Sequence, residues 1–358
     1  MYRNSYVEIN LDKIRYNAEY FINNSKRKVI GVVKANGYGS VDYMEISALK
    51  KAGVDFFAVS SLDEALNLRK HDIKDEILIL GYVGENGLDI VRENSFNIVT
   101  VDLDYVKRNN LEGIKTHIKV DTGMNRIGIE PEQINETIEI LKNKNSLIEG
   151  IMTHLSSADH DIDYTKKQYE IFKRCVEEAK YDFKYIHISA TDGALILDDD
   201  ICTHHRIGIG LLGYSSYKTK LKPAVSLYSD VILCKKLDKG ETVSYGRHYT
   251  SDGNGYILTI PIGYADGISR KNTGKKVFVE NEYGTIVGSV CMDQMMILTD
   301  HPHNVGTPVE IYGEHINVDD RARELDTISY ELLTGLSDRL KRIYIENNEV
   351  VNSIDPRF

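Results

Sequence analysis

The sequence predicts a (β/α)8 barrel followed by an antiparallel, β-rich domain. Three observations lead there. Short β-branched apolar runs alternate with helix-like stretches through the first part of the chain, which argues a parallel sheet. About eight such units fall in some 200 residues, closer to a closed barrel than to an open doubly wound sheet. Beyond about Pro223 the texture changes to period-two alternation broken by Gly, Asn and Asp turns.

In chain order, residues 1–17 read as a short strand followed by an amphipathic helix. The barrel strands are expected in KVIGVVK (28–34), FFAVS (56–60), EILILGYV (76–83), NIVTV (97–101), THIKVDT (116–122), IEGIMTH (148–154), YIHIS (185–189) and HRIGIG (205–210). Their near-continuous apolar character fits strands covered on both faces. Between them, SLDEALNLRKH offers Ser61 as a helix cap with Glu64 three residues on, and PEQINETIEILKNK opens with Pro131 in a first turn. Later, VSLYSDVILCKKL, ETVSYGRHYT, GYILTIPIGYADG, KKVFVENEYGTIVGSVCMDQMMILTD and TPVEIYGE read as antiparallel strands, and DDRARELDTISYELLTGLSDRLKRIYI as one helical segment. The domains are therefore expected at 1–225 and 226–358, the first strand being free to pack with the second domain.

Composition narrows the function classes. The chain has 358 residues, 44 basic and 54 acidic side chains, a net charge of −10 and no Trp. Without a Lys/Arg block there is no electrostatic footprint for phosphate backbones, so nucleic acid is not an expected partner. Cys175, Cys202, Cys234 and Cys291 are scattered, with no C-x-x-C pair, which speaks against a zinc site or a disulfide framework. No metal is expected. The N-terminus does not read as a signal peptide and no stretch is long and apolar enough to span a bilayer, so a reduced, cytoplasmic protein is expected.

Lys34 ends the first barrel run and leads into Ala-Asn-Gly-Tyr-Gly, a turn at the face where barrel active sites form. An ammonium there loses solvation and its pKa falls, which suits Schiff-base chemistry.

VVKANGYG, KVDTGMNRIG, MTHLSSAD, RIGIGLLGY, PIGYADG and VCMDQ, in this order, resemble the alanine racemase family of pyridoxal-phosphate (PLP) enzymes, over essentially the whole chain. The resemblance implies that Lys34 binds PLP covalently and shuttles a proton on one face of the substrate Cα. Tyr264 would be the base on the opposite face, supplied by the neighbouring subunit of a homodimer. Racemisation needs such a pair, because reprotonation from the side just left regenerates the starting enantiomer.

The other site residues follow from the same resemblance. Arg206 would face the pyridine nitrogen, with His154 behind it, keeping that nitrogen unprotonated. Arg126 would contact the phenolic oxygen of PLP and the substrate carboxylate. Lys119 matches a lysine that is N-carboxylated in many members and orients that arginine. Tyr38, Gly208 and Ile209 would cradle the phosphate. Met292 and Asp293 would reach across the dimer interface towards the substrate.

Two positions depart from the family pattern. HISATDGA places Ala190 and Thr191 where an Asn-Ser pair is usual; Thr191 keeps the hydroxyl for the phosphate. LSDR places Asp338 where the family has a tyrosine that reaches the phosphate and narrows the pocket. A carboxylate there would repel phosphate, so Asp338 turns away or bonds a substrate hydroxyl. Serine racemases associated with vancomycin resistance also lack this tyrosine. They usually carry a membrane domain ahead of the racemase module, so a stand-alone enzyme or an excised catalytic half is expected here. Alanine is the default substrate, with serine or a broader range including cationic side chains as the alternative. A non-catalytic PLP carrier is disfavoured by the presence of the second domain.

Overall fold

A computed structural model describes residues 3–355. The chain divides into two compact units. One comprises Ile14–Gly37 and Asp42–Leu221; the other is built on the stretch from Lys222 onward together with Tyr38–Val41 and the N-terminal segment through Lys13.

Strand β1 (Ser5–Asn10) belongs to the second unit. The first unit is a parallel barrel of β2 (Lys28–Val32), β3 (Phe56–Val59), β4 (Glu76–Ile79), β5 (Asn97–Val99), β6 (Lys115–Lys119), β7 (Leu147–Met152), β8 (Tyr185–His187) and β9 (His204–Ile207). All eight expected strands form. Neighbours follow sequence order from β2 to β8, with β9 beside β2. The Thr203 and Arg206 amides donate to the Ile186 and Ser189 carbonyls, each at 2.9 Å, and bring the last two strands together. Every residue of β3 is buried, as the run FFAV demands of a strand with side chains on the barrel axis on one face and helices on the other.

Capping explains where two of the outer helices start. Ser61 accepts from the Glu64 amide at 3.3 Å ahead of the helix Leu62–Lys70, an interaction worth about 1 kcal/mol. Pro131 opens the turn before Ile134–Asn143, where the Glu130 amide donates to Gln133 Oε1 at 3.2 Å.

The second unit contains β10 (Val225–Asp230), β11 (Leu233–Lys236), β12 (Thr242–Val243), β13 (Tyr249–Thr250), β14 (Tyr256–Ile260), β15 (Lys276–Val279), β16 (Glu282–Val287), β17 (Met295–Thr299), β18 (Pro308–Tyr312), β19 (Lys341–Glu346) and β20 (Glu349–Ile354). Apart from the short β12–β13 hairpin these join one sheet in the order β11-β14-β17-β16-β15-β18-β10-β1-β19-β20. Strand β1 pairs antiparallel with β10 and parallel with β19. Its buried and half-buried residues alternate, with Val7 and Ile9 inward, the period-two signature of a one-sided core. The hairpin β19–β20 turns on Asn347 and Asn348, both left-handed, the conformation a two-residue hairpin favours in asparagine.

The C-terminal stretch expected as one helical segment is broken. Val318–Glu324 and Ser329–Thr334 are separate short helices, and the rest forms β19. Asp326 adopts a left-handed φ of 57°, which ends helical propagation, and KRIYIE then finds a ladder partner in β1. Among the described residues no helix is long and apolar enough to cross a membrane, and no cluster of His, Cys, Asp or Glu could hold a metal ion.

Candidate functional site

The barrel unit gathers its chemistry at the carboxyl ends of the strands. The β2 ladder stops at Val32, and from Ala35 to Tyr38 the backbone turns left-handed, with φ of 54°, 54°, 61° and 52°. Such a turn is adverse for non-glycine residues by roughly 1–2 kcal/mol each, so other interactions must hold it. The Gly37 amide donates to the Val33 carbonyl at 2.9 Å. The Ala35 amide donates to Glu64 Oε1 at 2.8 Å, and the Ser60 amide to Glu64 Oε2 at 2.6 Å. The helix start read in the sequence at Ser61 is therefore real, but Glu64 spends its carboxylate on the lysine turn.

Lys34 is half-buried, and its pKa is lowered by desolvation and by the charges of Arg126 and Arg206, against a raising effect of Glu64. Lys119, at the end of β6, is buried and donates to the Ile127 carbonyl at 3.2 Å. Burial, with Arg206 and Arg126 nearby, brings it down to about 8. Arg126 itself is exposed. Four cations from different strands and the segments that follow them thus act on one another at the same end of the barrel.

Arg206 is buried on β9. Its Nη1 donates to His187 Nδ1 (2.8 Å) and the His187 carbonyl (2.9 Å). Its Nη2 donates to the Thr153 carbonyl (2.9 Å), His154 Nδ1 (3.0 Å) and the Ile188 carbonyl (2.8 Å). All these partners are neutral, and no carboxylate of the described residues lies within ion-pair distance. Burial lowers Arg206 to about 10 and holds His154 and His187 well below the usual imidazole range.

Because a guanidinium only donates, the proton directions follow. His187 accepts at Nδ1, carries its proton on Nε2 and donates it to His117 Nδ1 at 2.9 Å. Burial takes His117 down to about 3, and its Nε2 has no hydrogen-bond partner. The sequence reading missed His187 and His117. Their signal was the alternation in THIKV and YIHIS, which aims both rings into the barrel interior.

Thr191 is buried and accepts from the Gly210 amide at 3.1 Å, which leaves its own hydroxyl proton to donate. Ala190 precedes the helix Thr191–Ile196 without a side-chain cap, since alanine has no polar side-chain atom. Gly208 and Ile209 lead into a short 3-10 turn beside that hydroxyl.

The second unit presents the other candidates. The Tyr264 amide donates to the Cys291 carbonyl and the Ala265 amide to the Met292 carbonyl, both at 3.0 Å, so the GYADG and VCMDQ loops are stitched together. A Cβ on Gly263 would meet the Cys291 carbonyl oxygen at 2.2 Å, so only glycine permits this approach. Tyr264 and Met292 are 43% and 53% exposed.

Beneath them, fully buried Asp266 receives Arg3 through two bonds at 2.7 and 3.0 Å and the Gly263 amide at 3.0 Å. Arg339 lies 3.5 Å from Asp266 and binds Asp293 at 2.7 Å, so Asp293 is drawn into the same network. Asp266 and Arg339 stood inside the GYADG and LSDR segments without being singled out, and Arg3 had no distinguishing sequence signal. Asp338 is 73% exposed, its nearest opposite charge being Arg342 at 3.8 Å. Tyr38 is buried, its ring edge-on to Tyr330 with centroids 5.8 Å apart.

Comparison with known proteins agrees over the whole length. Residues 9–216 match the alanine racemase N-terminal domain and 224–344 the alanine racemase C-terminal domain. The alanine racemase of Macrococcus caseolyticus is 36% identical, over 99% of this chain and 98% of its own. A solved alanine racemase from Bacillus anthracis, with bound L-Ala-P, superposes with a TM-score of 0.92 at 33% identity, covering 99% of this chain and 98% of that one. A histidine racemase from Leuconostoc mesenteroides reaches 0.88 at 28% identity over 96% and 98%. A depressed lysine on a barrel strand end, carboxylate-free arginines around it and full-length similarity converge: the chain belongs to the alanine racemase family and is an amino-acid racemase.

Proposed function

We propose that the protein interconverts L- and D-alanine using PLP, with Lys34 and the Tyr264 of a second copy as the two bases. The observation that carries this reading is desolvated Lys34 under the influence of Arg126 and Arg206, neither of which has a carboxylate within ion-pair distance among the described residues. Such a cluster suits a dianionic phosphate and a substrate carboxylate. The donor set of the barrel unit fits PLP: Lys34 for the aldehyde, the Thr191 hydroxyl proton with the Gly208 and Ile209 amides for the phosphate, and Arg206 for the ring nitrogen.

Bound PLP supplies an electron sink that acidifies the substrate Cα–H. Lys34, whose amine is neutral more often than an exposed lysine's, takes or returns that proton on one face. Tyr264 does so on the other. Arg206, backed by neutral imidazoles and carbonyls, donates to the ring nitrogen without surrendering its proton, which favours racemisation over transamination. Arg126 holds the substrate carboxylate. N-carboxylation of Lys119, its neutral amine taking up CO2 and releasing one proton, would put an anion beside Arg126; the pKa near 8 supplies that neutral form. The exposure of Tyr264 and Met292 supports a homodimeric arrangement in which a partner covers them. Four free cysteines suit the reducing cytoplasm.

Exposed Asp338, where a pocket tyrosine is usual, favours a second reading in which serine or a larger polar amino acid is also turned over. The deciding experiment is racemisation of L-alanine, L-serine and L-lysine by the native protein, Lys34→Ala and Tyr264→Phe. Interconversion should vanish in the first variant. In the second it should collapse while PLP stays bound, and interconversion at native rates in Tyr264→Phe would sink the two-base reading.

A further inference from the structure

Resting on that reading, we propose that Glu64 is a positioning residue for Lys34, its carboxylate locking the left-handed turn from which the lysine projects. The turn is strained at Ala35, Asn36 and Tyr38, three non-glycine residues with φ between 52° and 54°. Strain of this kind persists only where surrounding structure over-determines it. Glu64 supplies that constraint from a different strand–helix unit. One oxygen accepts the Ala35 amide at 2.8 Å and the other accepts the Ser60 amide at 2.6 Å. The carboxylate therefore ties the residue after Lys34 to the carboxyl end of β3. Its own backbone is fixed in turn by the cap from Ser61 at 3.3 Å.

Only a carboxylate of this length serves. It has two acceptor oxygens for two converging amides, and charge-assisted bonds of this kind are the stronger class. Glutamine would face one amide with its own NH2 donor and leave that amide unpaired. Aspartate keeps the charge but is one methylene short of spanning both. Glu64 is also the acidic group that opposes the two arginines at Lys34.

The test uses the full-length, PLP-loaded protein and its Glu64→Gln and Glu64→Asp variants, with hydrogen exchange read by mass spectrometry alongside steady-state kinetics on alanine. In Glu64→Gln, exchange in the peptide covering 33–39 should rise about tenfold while that of 204–212 stays unchanged. The kcat should fall about tenfold with KM nearly constant, because a misplaced base harms the chemical step rather than carboxylate binding. Glu64→Asp should reproduce both effects in milder form, and decides the matter if the glutamine variant does not fold. Unchanged exchange at 33–39 overturns the proposal. So does faster exchange with native kcat, or full rescue by aspartate, which would make charge alone responsible. A native protein that racemises nothing defeats the functional reading instead, and the exchange comparison still reports whether Glu64 holds the turn.

Discussion

The two units hold their candidate site residues by opposite means. In the barrel, Lys119 and Arg206 are buried, His154 and His187 are kept neutral, and Lys34 is half-desolvated; removal of water shifts their proton affinities. In the β-rich unit, Tyr264 and Met292 stand exposed, and a buried carboxylate with two arginines fixes their loops from beneath. Desolvation suits a group proposed to change protonation. A rigid exposed turn presents a group to something outside its own unit.

The largest test of this contrast is Lys34→Ala, which removes the tuned group. Racemisation should fall by at least about 10^3, in line with loss of a general acid–base, without a comparable loss of thermal stability. An unfolded variant would show that the lysine serves the fold.

Next comes Asp266→Asn on the other side. Removing the charge from a fully buried carboxylate that holds Arg3 should destabilise the β-rich unit by about 3 kcal/mol and weaken activity through Tyr264. Denaturant unfolding measures it, and a loss below about 1 kcal/mol would mean that the network is dispensable.

A third test uses acid. His117 and His204 are lowered by burial to about 3 and about 4, below the unfolded value near 6.5. As pH falls the unfolded chain takes up these protons first. The stability they confer is complete above about 6.5 and is lost progressively towards 4, by up to about 1.4 kcal/mol per pH unit for each histidine. Thermal midpoints should therefore drop between pH 6.5 and 5, and His204→Gln should flatten the slope. A midpoint insensitive to this window would contradict the neutral-histidine barrel.

The smallest expected effect belongs to Asp338→Tyr. It should raise the alanine-to-serine ratio of kcat/KM by about tenfold, the scale on which one altered pocket contact discriminates. An unchanged ratio would remove Asp338 from substrate selection.

Much of this architecture was legible in the sequence because it rests on local periodicity. FFAV has no polar face to turn outward, so it forms a doubly covered strand; SYVEIN has one, so it forms a half-covered one. Lys34, Tyr264 and Arg206 stood in ordered motifs whose residue types carry their own chemistry. Other features depended on distant chain segments meeting. KRIYI carries helical and strand patterns alike, and pairing with β1 decided for strand. Glu64 reads as half of a helix cap, and only the meeting of two strand ends turns its carboxylate towards Ala35 and Ser60. His187 and His117 lie 70 residues apart, and the barrel register alone makes them partners. Sequence determines what each residue can donate, accept or bury, since those are properties of its own atoms. Tertiary structure decides which partner it meets and how little water remains there, and that sets the proton affinities on which the chemistry depends.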